Sequence, residues 1–200
     1  MTDDVAPASE LALATRERLP EDLTLLLARY PREVWNGHAN LGEMATFWLS
    51  RHAMFRELGT MLDDASARFR DDAIDARRFA QFFAPRLQFL LQQLHAHHHI
   101  EDHHYFPIFR KADARLARGF AMLEEDHEAL AASIEASVTT ANDFLHALNG
   151  SADGIRFAAD AYIRSGAVLQ RGLIRHLDDE EDLIVPLILD RGERALGVAH

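Results

Sequence analysis

The chain has 200 residues, of which 48% are hydrophobic and 26% charged, enough for one domain with a buried core. A net charge of −11 argues against nucleic acid and anionic membrane as partners and suits a protein that attracts cations. Cysteine is absent, which excludes disulfides, thiolate zinc sites and cysteine-ligated iron–sulfur clusters, whereas histidine occurs twelve times.

The acidic start Met1-Thr2-Asp3-Asp4 lacks the basic residues and apolar run of an export signal. No apolar stretch reaches the roughly 20 residues that span a bilayer, so the cytoplasm is the expected location. Alternating β-branched runs are missing, and the long segments have helical period. Residues 9–30 read as one or two short helices, interrupted at Pro20 and closed by Pro31, and Trp35-Asn36-Gly37 reads as a turn. A helix is expected over 38–70, with the seam Leu41, Ala45, Trp48, His52, Phe55, Gly59 and Leu62. Asp71-Asp72 opens a connector carrying a short helix through Phe82. Pro85 suits the first turn of the next helix, which presents Leu87, Leu90, Leu94, His97 and Glu101 and ends near Pro107. Asp113 is the expected N-cap of a third helix with Leu116, Phe120, Leu123, His127, Leu130, Ile134, Val138, Ala141, Leu145 and Leu148 on one stripe. Asn149-Gly150-Ser151 closes it. A fourth helix runs from about Asp153 to Leu189, showing Leu169, Leu173, His176, Glu180, Ile184 and Leu187. The expected fold is all-α, an antiparallel up-down four-helix bundle over 36–192, with an N-terminal helical extension (1–35) and a C-terminal tail (193–200).

One stretch is repeated. His97-His98-His99-Ile100-Glu101-Asp102-His103-His104-Tyr105-Phe106-Pro107 aligns without a gap on His176-Leu177-Asp178-Asp179-Glu180-Glu181-Asp182-Leu183-Ile184-Val185-Pro186, sharing H-x-x-x-E-[D/E]-x4-P. Residues four apart on a helix have Cβ atoms about 5–6 Å apart. An imidazole and a carboxylate so placed can each come to about 2.0–2.2 Å from one metal ion. His52 and His127 extend the repeat: each interrupts an apolar seam, and the chain reads as two pairs of helices, each a helix with a seam histidine followed by one with HxxxE. In an antiparallel bundle His52, His97, Glu101, His127, His176 and Glu180 can meet at one level. No lysine or arginine lies on either seam beside Glu101 or Glu180, so divalent cations would supply the charge that two buried carboxylates need. Imidazole with carboxylate suits iron, zinc or manganese.

Taken singly, each element has a plainer reading. A seam histidine is more often a core residue hydrogen-bonded to a neighbour, and one HxxxE pair is commonly a solvated contact worth about 0.3 kcal/mol. The joint pattern is what carries the metal reading.

These residues resemble the hemerythrin-like, or HHE, cation-binding family over roughly residues 38–190. The resemblance rests on His97-x3-Glu101-Asp102-x2-Tyr105-Phe106-Pro107 and His176-x3-Glu180-Glu181-x4-Pro186, with His52 in Arg51-His52-x2-Phe55 and His127 in Asp126-His127-x2-Leu130. It implies a four-helix bundle holding a non-haem di-iron centre, with two iron ions on histidines and bridging glutamates and an exchangeable position for O2 or a related small molecule such as NO or peroxide. There is one departure. Oxygen-carrying members have an HxxxH pair on the third helix, and here the position four after His127 is Ala131. That shifts the implied role from oxygen carriage towards sensing, stress protection or iron handling.

A ferritin-like bundle is the rival, since Glu101-x2-His104 and Glu124-x2-His127 fit its Glu-x-x-His signature, but the first helix has no seam glutamate. Of the histidines between His95 and His104, His97 is preferred because it aligns with His176. His98 with Asp102 is a second i, i+4 pair one position round, and His99 with His103 a third on a further face. Tyr105 and Tyr162 are read as core residues; His38, about 21 Å before His52 along a continuous helix, is too far for the same site, and His146 and His200 have no supporting pattern. No G-x-S-x-G, P-loop or G-x-G-x-x-G motif is present, so any catalysis would be borne by the metal. A metal-storage protein and a metal-dependent oxidoreductase are the alternatives.

Overall fold

A computed structural model describes residues 11–71 and 73–199. The acidic start Met1–Asp4, the first residues of the expected 9–30 helices, Asp72 of the connector and His200 lie outside the described residues. Among the described residues all regular structure is helical.

A 3-10 turn (Glu21–Leu23), helix α1 (Leu25–Arg29) and a second 3-10 turn (Arg32–Val34) lead into α2 (Glu43–Arg70). Then follow α3 (Ala76–Ile100), a π-helical turn (Glu101–Tyr105) and α4 (Phe106–Ala112). A 3-10 turn (Ala114–Leu116) opens α5 (Ala117–Ala147), and α6 (Ala152–Arg191) and the single turn α7 (Glu193–Leu196) complete the order.

Three boundaries differ from expectation. The helix predicted from His38 starts at Glu43, because the His38 ring accepts the Asn40 N–H at 3.2 Å and Leu41 N–H bonds back to the His38 carbonyl at 3.0 Å, making a turn. Pro85 lies inside α3 and does not start it. It is tolerated there because Pro85 and Gln81, whose carbonyl loses its i+4 donor, are both exposed to water. The helix carrying Glu101 also does not end at Pro107. It widens by one π turn and continues to Ala112, in keeping with the missing N–H of Pro107. Asp113 caps the next helical run as expected, accepting the Arg115 N–H at 3.1 Å. The stripe on α5 drifts, burying Ser137 and Phe144 where Val138 and Leu145 were expected, as a 3.6-residue period dictates.

The chain divides into two units, and α2, α3, α5 and α6 each run from one into the other. The first comprises residues 1–52, 99–128 and 174–200. Its core gathers Leu19, Leu23, Leu26, Trp48, Phe106, Phe120, Leu183 and Ile188. Residues 11–42 run along the end of α6, which is why nearly every side chain from His176 to Leu189 is buried. Arg29 and Tyr30 bond Asp190 at 2.8 and 3.2 Å, and Asn40 donates to the Leu189 carbonyl at 2.7 Å. Gly192, at φ +81°, turns the chain so that buried Glu193 accepts the Ala45 N–H at 2.8 Å at the start of α2. The second unit, residues 53–98 and 129–173, is built on Phe69, Phe79, Phe83, Phe144 and Tyr162, with ring centroids 4.7–4.9 Å apart for Phe79–Phe83, Phe79–Phe144 and Phe83–Tyr162.

Candidate metal centre

Five of the six side chains singled out by sequence lie in the first unit. α2 supplies His52, the π turn Glu101, α5 His127 and α6 both His176 and Glu180. His52, Glu101, His176 and Glu180 are wholly shut off from solvent. His52, Glu101 and Glu180 each offer a ligand atom within 4.8 Å of the others.

All three histidines are held in the same way. His52 Nδ1 donates to Glu181 Oε1 at 3.0 Å, and its Nε2 faces Glu180 Oε2 at 3.4 Å. Likewise, His176 Nδ1 faces Asp126 Oδ2 at 3.4 Å, and its Nε2 stands 3.5 Å from Glu180 Oε2. His127 Nδ1 donates to Asp102 Oδ1 at 2.7 Å, and its Nε2 lies 3.8 Å from Glu101 Oε2 and 3.2 Å from His176 Nε2. A carboxylate that takes the Nδ1 proton fixes the tautomer and turns the Nε2 lone pair inward, the outer-shell arrangement of metal-binding histidines. Asp102 and Glu181, the second acids of the repeat, therefore orient histidines in this structure.

Glu101 Oε1 accepts the Trp48 indole N–H at 2.6 Å. Both Glu180 oxygens are buried without a hydrogen-bonding partner among the described residues. Burial pushes the Glu101 carboxyl up to about 8. Burial and then the charge of Glu101 push Glu180 far in the same direction. The His176 imidazole is driven the other way, by burial and then by the charges of His127 and His52, so it stays neutral and able to ligate.

His97 and His98 close the segment of α3 assigned to the second unit, in the turn directly before Glu101. Both are buried, at 6% and 8% exposure, so burial does not choose between them. Their rings are 5.9 Å apart, and Phe55 packs on His97 at 5.1 Å. His99 and His103 stack on the exposed face at 4.2 Å, and His104 is exposed. The ferritin-like alternative loses both its pairs on this geometry: His104 points outward, and Glu124 is ion-paired with Arg110.

Sequence reading missed Arg16 and Arg32. Arg16 is buried with its Nε on Asp179 Oδ2 at 2.8 Å and its Nη1 on Asp126 Oδ1 at 3.2 Å. Arg32 reaches Glu181 Oε2 at 2.9 Å and Asp182 Oδ1 at 2.7 Å. Nothing in the local pattern announces contacts that span more than a hundred residues of chain. What the sequence does offer is Asp126, an acid beside the seam residue His127, and it is buried in the structure.

The residues fit a bound cation. Imidazole nitrogens and carboxylate oxygens converge in the interior, and the Glu180 oxygens are buried there without a hydrogen-bonding partner among the described residues. Among the described residues, no helix is long and apolar enough to cross a membrane.

No curated protein and no solved structure matches the chain. A family model does, the hemerythrin HHE cation-binding domain, over residues 43–188. On that match, which covers most of the sequence and every residue of the proposed centre, the chain belongs to the hemerythrin family of HHE cation-binding domains.

Proposed function

We propose that this cation-binding protein is a non-haem di-iron protein of the cytoplasm that binds O2 or a related small molecule, NO or peroxide, in sensing, stress protection or iron handling. The proposed ligands are His52, His97, Glu101, His127, His176 and Glu180. They would be carried by an antiparallel four-helix bundle over 36–192, with 1–35 as its extension and 193–200 as its tail. The observation that carries this reading is the matched set of imidazoles, each with Nδ1 on a carboxylate and Nε2 turned towards Glu101 or Glu180. His97 joins them because it aligns with His176 in the repeated stretch, four residues before its glutamate as His176 is before Glu180.

Bound iron would supply redox electrons and a coordination position for the small molecule. The chain supplies the orientation of the ligands and the exclusion of water. Ala131, where oxygen carriers have a histidine, leaves one protein ligand fewer and favours sensing or peroxide and NO chemistry over carriage. Aerobic reconstitution with Fe(II) tests the reading. It should load about two irons per chain and give a ligand-to-metal charge-transfer absorption that shifts with NO or peroxide. A loaded protein whose spectrum ignores all three small molecules would contradict the small-molecule role.

The exposed His99–His103 stack favours a second reading, metal storage or buffering, with zinc or manganese also candidate ions. More than two tightly held ions, with zinc or nickel preferred over iron, would support it. A metal-dependent oxidoreductase would show itself by turnover of O2, peroxide or NO.

A further inference from the structure

Two of the proposed ligand histidines are each backed by a carboxylate and then an arginine, and both arginines lie in the segment before residue 43, outside the family match. On one side the Nδ1 of His52 donates to Glu181 Oε1, and the other oxygen of that carboxylate accepts from Arg32 Nη1 at 2.9 Å. Arg32 is pinned in turn by Asp182 Oδ1 at 2.7 Å, by the Asp178 carbonyl at 3.1 Å and by the Trp35 ring beneath its guanidinium at 4.9 Å. On the other side His176 Nδ1 faces Asp126 Oδ2, and Arg16 grips both Asp126 oxygens with its two terminal nitrogens while its Nε holds Asp179 at 2.8 Å. Arg175 completes that cluster on Asp179 at 2.9 Å, so two arginines face two aspartates there.

We propose that Arg16 and Arg32 are positioning residues of the metal centre, which fix the tautomer and ring angle of His176 and His52 through Asp126 and Glu181. The assignment rests on reading those histidines as metal ligands. Arg16, donating two bonds to Asp126, fixes the plane of that carboxylate, and Arg32, itself held by Asp182 and the Asp178 carbonyl, anchors one oxygen of Glu181; each carboxylate then orients its imidazole. The N-terminal segment is thus an integral part of the centre, one arginine serving each of two histidines.

The test uses the full chain and the variants Arg32→Met and Arg16→Met. In metal-free protein, imidazole nitrogen NMR shifts report which ring nitrogen carries the proton. Arg32→Met should disturb the Nδ1–H form of His52 and leave His176 unchanged, and Arg16→Met should do the reverse. Each should weaken Co(II) or Fe(II) binding by about 10–100-fold, with a changed d–d spectrum of the Co(II) form. A folded variant that keeps wild-type tautomers and affinity, or that disturbs both histidines alike, would overturn the assignment. Should the buried Arg16→Met fail to fold, Arg32→Met, whose side chain is 42% exposed, carries the same test on His52. Selective tautomer changes in a protein that binds no metal would contradict the metal reading and not the arginine assignment. Unchanged tautomers in a metal-binding protein would overturn the assignment alone.

Discussion

The protonation of Glu101, Glu180 and His176 couples the stability of the metal-free protein to pH. A carboxyl raised from its ordinary 4.5 to about 8 keeps its proton in the folded chain where the unfolded chain has released it. Stability from this source is complete below the ordinary carboxylate range and is lost as pH rises towards 8. Glu180 acts in the same direction. His176, lowered from 6.5, acts oppositely, costing stability as pH falls below that value. Between pH 7 and 8 the contribution of His176 has largely faded and the carboxyls dominate the three, so in chelator the urea midpoint should fall as pH rises across that window. Bound divalent metal, which replaces the proton, should flatten or reverse the trend. Trp48 gives a second residue-scale expectation. Its 2.6 Å bond to Glu101 is lost in Trp48→Phe, at a cost of about 1.5–3 kcal/mol in metal-free protein at pH 8, measurable by denaturant titration. The same indole should be quenched when Fe(II) or Co(II) binds.

At the scale of elements, the seams of the long helices were readable because burial there follows simple periodicity. His52, His97, His127, His176, Glu101 and Glu180 were singled out from it, and all six are buried. The π turn was not readable, since a 3.6-residue reading has no place for a widened turn, and Pro107 was mistaken for an end. Pro85 was misplaced because an internal proline costs less where the residue that loses its i+4 donor, Gln81, is exposed to water. The role of the N-terminal segment was illegible because its arginines act on acids far along the chain. Glu193 belongs to the same class. It lies in what reads as a tail yet caps the start of α2, and Gly42 has only a hydrogen where an added Cβ would overlap the Glu193 carboxylate. Glu193→Ala should cost about 1–2 kcal/mol in thermal or chemical unfolding. Gly42→Ala should destabilise through the same contact, and combining the two should cost less than the sum of the separate effects.

For the whole molecule, family membership and the geometry of the first unit make folding and metal binding one linked equilibrium. Metal at about a thousand times its dissociation constant adds about 4 kcal/mol to stability, so the melting temperature should rise with Fe(II) concentration and fall with chelator. The most direct measurement is elemental analysis of protein purified without an affinity tag, beside the Glu101→Ala/Glu180→Ala double variant. The wild type should carry about two iron ions per chain, and the double variant should lose most of them while remaining helical. A wild type without metal, or a double variant with unchanged metal content, would contradict the assignment of these carboxylates to a di-iron centre.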